Sequence, residues 1–154
     1  MALKLAIDFG TTNSVIARWN EDANAPEVVS LPGISRAATE ELPVVVPSLI
    51  YIHDGTDGRA TIGQAVRDHD LDVQKDNRLF RNFKRGIVAA PAPDPRKLDG
   101  IDWADRDAGH VFVRQVIDQL PYKITDLDEL VLTAPVAGTV TAAPGASMIR
   151  SSSR

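Results

Sequence analysis

The chain has 154 residues, 44% apolar and 25% charged, a length and composition that suit one modest globular domain. With 17 basic against 21 acidic residues its formal charge is −4, which gives no electrostatic basis for nucleic-acid binding, so a phosphate ligand would need a local site. It has no cysteine, hence no disulfide or thiolate metal centre; His53, His69 and His110 are scattered; and no apolar run approaches the roughly 18 residues of a membrane span, so the expected compartment is the cytoplasm, with no membrane partner.

Leu3 to Ile7 and Ser14 to Trp19 are apolar runs of strand character separated by a polar, glycine-bearing turn, which predicts an N-terminal β-hairpin. Glu27 to Leu31 reads as a third strand, ended by Pro32 and Gly33. Val44 to Ile52 is β-rich, with Pro47 marking an edge, a bulge or a bend. After the turn signals of "DGTDGR", Asp54 to Arg59, a brief strand leads into a short helix at about Gln64. Asn77 to Lys84 is a second helical candidate, with Leu79, Phe80 and Phe83 on one face. Ala89 to Asp102 carries Pro91, Pro93 and Pro95 and reads as an exposed extended loop. Asp105 to Gln119 is the strongest helix: Val113, Val116, Ile117 and Leu120 recur at helical spacing and Pro121 stops it. Leu127 to Val136 is expected as a buried strand. In the last 17 residues, Gly138 to Arg154, 11 are Gly, Ala, Ser or Thr and none is acidic, a composition that predicts a disordered, low-complexity tail. The whole reads as mixed α/β.

The stretch "AIDFGTTNSVIA", Ala6 to Ala17, carries the chemistry. Gly10 offers conformational freedom and a bare backbone, and Thr11, Thr12, Asn13 and Ser14 offer hydroxyl and amide donors to an oxyanion. Asp8 would repel bare phosphate, so its sensible partner is a magnesium ion, met directly or through water. A polar hairpin stabilised by Asp8 and Asn13 accounts for the same residues without any ligand.

This stretch resembles the first phosphate-binding hairpin of the actin-like ATPase superfamily, in particular that of the DnaK-type heat-shock protein 70 chaperones. Three later stretches favour that branch, and a fourth resembles its lobe-closing strand. "VVPSLIYI", Val45 to Ile52, is similar to the family's threonine-proline-serine strand, and "TIGQAV", Thr61 to Val66, to its glycine-glutamine-alanine segment. "LFRNFKRGI", Leu79 to Ile87, resembles the helix that carries a catalytic lysine, and "ELVLTAPVA", Glu129 to Ala137, the strand that closes the first lobe. The implied fold is an incomplete first lobe of the ribonuclease H-like type over residues 1–137, followed by the tail at 138–154.

The resemblance implies ATP or ADP with Mg2+ as cofactors, Asp8 on hydrated magnesium, and Gly10, Thr11, Thr12 and Asn13 along the phosphates. It implies Lys84 as the catalytic cation near the γ-phosphate, and Arg85 and Pro135 as relays of nucleotide state. Unfolded-protein clients and co-chaperones would be partners of a full-length form. The family's second phosphate loop, adenosine pocket and peptide-binding domain have no counterpart in these residues, so the expectation is a truncated ATPase with negligible turnover alone. A non-enzymatic remnant or protein-interaction module stays open, as does a sugar-kinase-like phosphotransferase, disfavoured by the setting of Lys84 and by "VVPSLIYI". Trp19 and Trp103 read as packing residues, His69 as solvated, His110 as packed or exposed, and Asp126 with Asp128 as part of a turn.

Overall fold

The computed structural model describes residues 2–133 and 146–147. Pro135, together with residues 138–145 and 148–154 of the tail expected to be disordered, lies outside the described residues; Ala146–Ser147 of that tail is a short strand instead. Strand β1 (Lys4–Phe9) turns back as β2 (Asn13–Asn20), the expected hairpin, and β3 (Ala25–Val28) adds antiparallel to β2. The third strand thus precedes its expected place, and Leu31 is buried in the turn beyond it. Val46–Pro47 (β4) pairs with β2, and after Ser48 the chain enters β5 (Leu49–Asp54) in a different sheet, so the bend expected at Pro47 is a change of sheet. There β5 is flanked by β6 (Arg59–Ile62) and β7 (Leu79–Arg81).

Helix α1 (Gln64–Asp68) starts where expected. The helix expected over Asn77 to Lys84 does not form as one element. Leu79–Arg81 is strand β7, with Phe80 opposite Ile50, and Asn82 breaks the chain at a positive φ of 57° before α2 (Phe83–Val88). Leu79, Phe80 and Phe83 therefore share no helix face: Leu79 and Phe80 are successive strand residues, and Phe80 and Phe83 are buried from two different elements. The extended loop is also partly corrected: residues 89–95 are irregular and exposed, whereas β8 (Arg96–Leu98) and β9 (Ile101–Trp103) form a hairpin around Asp99 and Gly100, both at positive φ. Asp-Gly suits such a tight turn because both positions tolerate the left-handed region.

Helix α3 (Asp105–Asp118) lies one residue from its expected end, its first turn braced by the Asp107 carboxylate accepting from the Ala104 N–H at 2.9 Å. β10 (Glu129–Thr133) runs parallel to β1, and Ala146–Ser147 (β11) lies parallel beyond it, giving a mixed sheet in the order β11-β10-β1-β2-β3. β10 is half-buried throughout rather than fully buried. Leu5, Ile7 and Ile16 point from this sheet into the core, while Lys4, Ala6 and Asp8 are exposed, the alternation that a pleated strand with one covered face dictates.

Phe83 and Phe112 join the two helices at 5.4 Å between ring centroids, and Phe112 reaches Phe9 of β1 at 5.9 Å. The helices approach closely because a Cβ on Gly86 would strike the Asp105 carboxylate and one on Gly109 would meet the Ile87 side chain. Among the described residues no helix is long and apolar enough to cross a membrane. Phe112→Ala should cost about 3–5 kcal/mol, since it empties the centre of this cluster. Urea unfolding followed by the fluorescence of Trp103, whose indole N–H donates to the Gly55 carbonyl at 2.9 Å, measures it; a loss below about 1 kcal/mol would contradict this account of the core.

Candidate functional site

Asp8 is the penultimate residue of β1 and Thr133, the last of β10, stands opposite it, so the site forms at the carboxyl ends of two adjacent parallel strands. Ligands of sheets of this kind bind outside those ends, where the last residues and the following turns are free to face solvent. The Thr133 hydroxyl donates to Asp8 Oδ1 at 2.6 Å, and the Asp8 side chain is exposed. The turn that follows is open: Thr12 is exposed and Gly10, Thr11 and Asn13 are half-buried. A Cβ at Gly10 would collide with the Asn13 carbonyl oxygen, so the tightness of this turn requires glycine.

The carbonyls of the turn are anchored inward. Gly10 O accepts from Lys84 Nζ and, at 3.1 Å, from Ser48 Oγ; Thr12 O accepts from the Ser48 N–H at 2.8 Å. Among the described residues the amides of Gly10, Thr11 and Thr12 meet no protein acceptor. Amides left without a protein acceptor on a tight turn can donate to an anion.

Lys84 is not the solvated helix lysine that its type would suggest. It is 1% exposed beneath the turn, where Nζ donates to Ser14 Oγ at 2.8 Å and Ser48 Oγ at 2.9 Å as well as to Gly10 O. Nζ also stands 3.4 Å from the centroid of the Phe9 ring and 5.2 Å from that of Phe112. Burial pushes its pKa down to about 7, opposed by the negative charge of Asp8. The contacts survive loss of the proton: the Gly10 carbonyl can only accept, but either serine can turn its hydroxyl toward a neutral amine.

The structure therefore brings Asp8, Gly10, Thr11, Thr12, Asn13 and Lys84 into one neighbourhood, with Lys84 bound to a residue 74 positions away. Arg85 is exposed beside it. Phe9, Ser48 and Thr133 complete the site, and sequence reasoning gave them no contact there; Ser14, expected to offer its hydroxyl to an oxyanion, is instead fully buried and accepts from Lys84 Nζ at 2.8 Å. Among the described residues no cluster of three or more His, Asp or Glu side chains could hold a metal, so a cation here would rest on Asp8, water and ligand oxygens. That donor set fits magnesium, which keeps much of its water shell. Of the residues read as bland, Trp103 is buried, Trp19 is partly exposed, His69 and His110 are exposed, Asp126 ends the single helical turn Ile124–Asp126, and Asp128 ties the end of the chain's last connection to the N-terminus by accepting from the Leu3 N–H at 2.6 Å.

No protein-family model and no curated protein matches the chain.

Folded Lys84 releases its proton at about 7 and unfolded lysine near 10.5. Between those values the unfolded chain binds more protons, so this residue makes stability rise with pH across that window and contributes no slope below it. Lys84→Met should remove the rise. Urea midpoints of both proteins from about pH 7 to about pH 10 check it, and a slope unchanged by the substitution would contradict the assignment.

Proposed function

We propose that this chain supplies the phosphate-binding wall of a nucleotide cleft. Within that class we read it as the first lobe of an ATP-binding domain of the actin-like ATPase superfamily, of the heat-shock protein 70 chaperone type. The observation that carries the reading is the turn at Gly10–Asn13: its Gly10 and Thr12 carbonyls are committed inward while the amides of Gly10, Thr11 and Thr12 meet no acceptor among the described residues. A hairpin serving only to reverse the chain has no need of a buried lysine and a buried serine beneath it. The order of the motifs from "AIDFGTTNSVIA" to "ELVLTAPVA" gives independent support to the chaperone branch.

In this reading the turn amides donate to phosphate oxygens and Thr11, Thr12 and Asn13 add side-chain donors. Asp8, oriented by Thr133, would hold magnesium through its water shell; when bound, that ion neutralises phosphate charge. Lys84 lends positive potential to the turn from beneath, through Gly10 O. For Lys84 to touch a terminal phosphate, as the resemblance implies, its ammonium would have to leave Ser14 and Ser48. Hydrolysis further needs groups that position water and exclude bulk solvent from a facing wall. The activity proposed for these residues alone is accordingly weak Mg·nucleotide binding without appreciable turnover, with clients and co-chaperones belonging to a two-lobed form.

The burial of Lys84, with its donors spent on protein acceptors, favours one competing reading: a non-enzymatic module in which the lysine only staples the hairpin. Titrating isotope-labelled chain with Mg·ADP to about 10 mM separates the two, a range that covers millimolar affinity. Amide shifts at Gly10–Asn13 are expected, weakened by Asp8→Asn only when magnesium is present and abolished by Gly10→Ala. Absence of any response, here and in a chain supplied with a second lobe, would leave the staple reading standing.

A further inference from the structure

Ser48 stands between β4 and β5, 2% exposed, at the point where the chain passes from one sheet to the other. Its N–H donates to Thr12 O at 2.8 Å, and its hydroxyl donates to Gly10 O at 3.1 Å while accepting from Lys84 Nζ at 2.9 Å. One residue thus grips both inward carbonyls and the cation. Ser14, fully buried at the start of β2, accepts from the same Nζ at 2.8 Å.

The peptide unit turns these contacts into a statement about the amides. In a planar trans peptide the C=O and the following N–H point in opposite directions. Anchoring Gly10 O beneath the turn therefore directs the Thr11 N–H away from Lys84 and Ser48, and anchoring Thr12 O does the same for the Asn13 N–H. We propose that Ser48 is the positioning residue of the phosphate turn, holding its carbonyls inward together with the Lys84 ammonium so that its amides face a ligand. The ligand half of this statement rests on the phosphate reading above; the positioning half does not. Ser48 touches no ligand in this scheme and acts through Gly10, Thr12 and Lys84.

The two grips are separable. Ser48→Ala removes the hydroxyl contacts to Gly10 O and Lys84 but keeps the backbone bond to Thr12 O, so the Thr11 amide should respond and the Asn13 amide should not. The test uses the full chain, isotope-labelled, as wild type, Ser48→Ala, Ser48→Thr and Ser14→Ala. In Ser48→Ala the Thr11 amide and the Lys84 ammonium resonances should shift and Mg·ADP affinity should fall about tenfold, the scale of one lost hydrogen bond. Ser48→Thr, which keeps the hydroxyl, should restore all three, and Ser14→Ala should move the ammonium but leave Thr11 in place. Unchanged Thr11 and Lys84 signals in Ser48→Ala would overturn the proposal. A through-hydrogen-bond coupling from Lys84 Nζ to the Gly10 carbonyl carbon in the wild type reads the central contact without any substitution; its absence would also overturn it. If the wild type ignores Mg·ADP while the signals behave as expected, the positioning role is supported and the phosphate reading falls.

Discussion

A single lysine buried beneath the Gly10–Asn13 turn organises this protein. Burying a charge is unfavourable unless hydrogen bonds replace the water it loses; a carbonyl, two hydroxyls and the face of Phe9 replace part of it for Lys84, whose pKa burial still pushes down to about 7. Each partner comes from a different place: Gly10 from the turn, Ser14 from β2, Ser48 from the passage between sheets, Phe9 from the end of β1. The lysine itself rides on α2, which has only six residues and could not persist as an isolated helix. Its placement depends on Phe83 and on the close contact with α3 permitted by Gly86 and Gly109. Core packing and the polar site are thus one construction, in which the aromatic cluster sets the height of the cation and the cation sets the orientation of the turn.

The parallel pairing of β1 with β10 adds the second half of the arrangement. Only because the two strands run the same way do Asp8 and Thr133 reach the same rim, and only there does the carboxylate find the hydroxyl that fixes it. Negative charge at the rim and positive charge below it bracket the amides of the turn. The bracketing suits a ligand that carries both phosphate and a divalent cation better than it suits either alone, since a bare anion would meet Asp8 first.

Much of the fold was legible because it is written in local patterns. The hairpin followed from two apolar runs around a glycine turn, and α3 from the spacing of Val113, Val116, Ile117 and Leu120. Where reading failed, two local signals competed. Leu79, Phe80 and Phe83 have helical spacing, but Asn82 takes a left-handed conformation between them and divides the stretch into a strand and a helix. The β8–β9 hairpin was announced by Asp99-Gly100 and masked by the prolines just before it. For the site, Asp8 to Asn13 are contiguous and could be found from residue type, whereas Lys84 was reached only through family resemblance. Ser48 was beyond both: its partners lie 38 and 36 residues away, and no periodicity in a chain records a contact of that range.

The passage through Val46, Pro47, Ser48 and Leu49 makes one covalent thread serve two sheets. Strand faces alternate residue by residue, so a single insertion just after Ser48 would leave the turn gripped but turn β5 over, moving Ile50 and Ile52 off their fully buried positions and Leu49 and Tyr51 into them. A deletion there would do the same. This junction should therefore tolerate exchange of side chains far better than any change of length, a rigidity of spacing quite unlike that of the exposed, proline-bearing segment at 89–95.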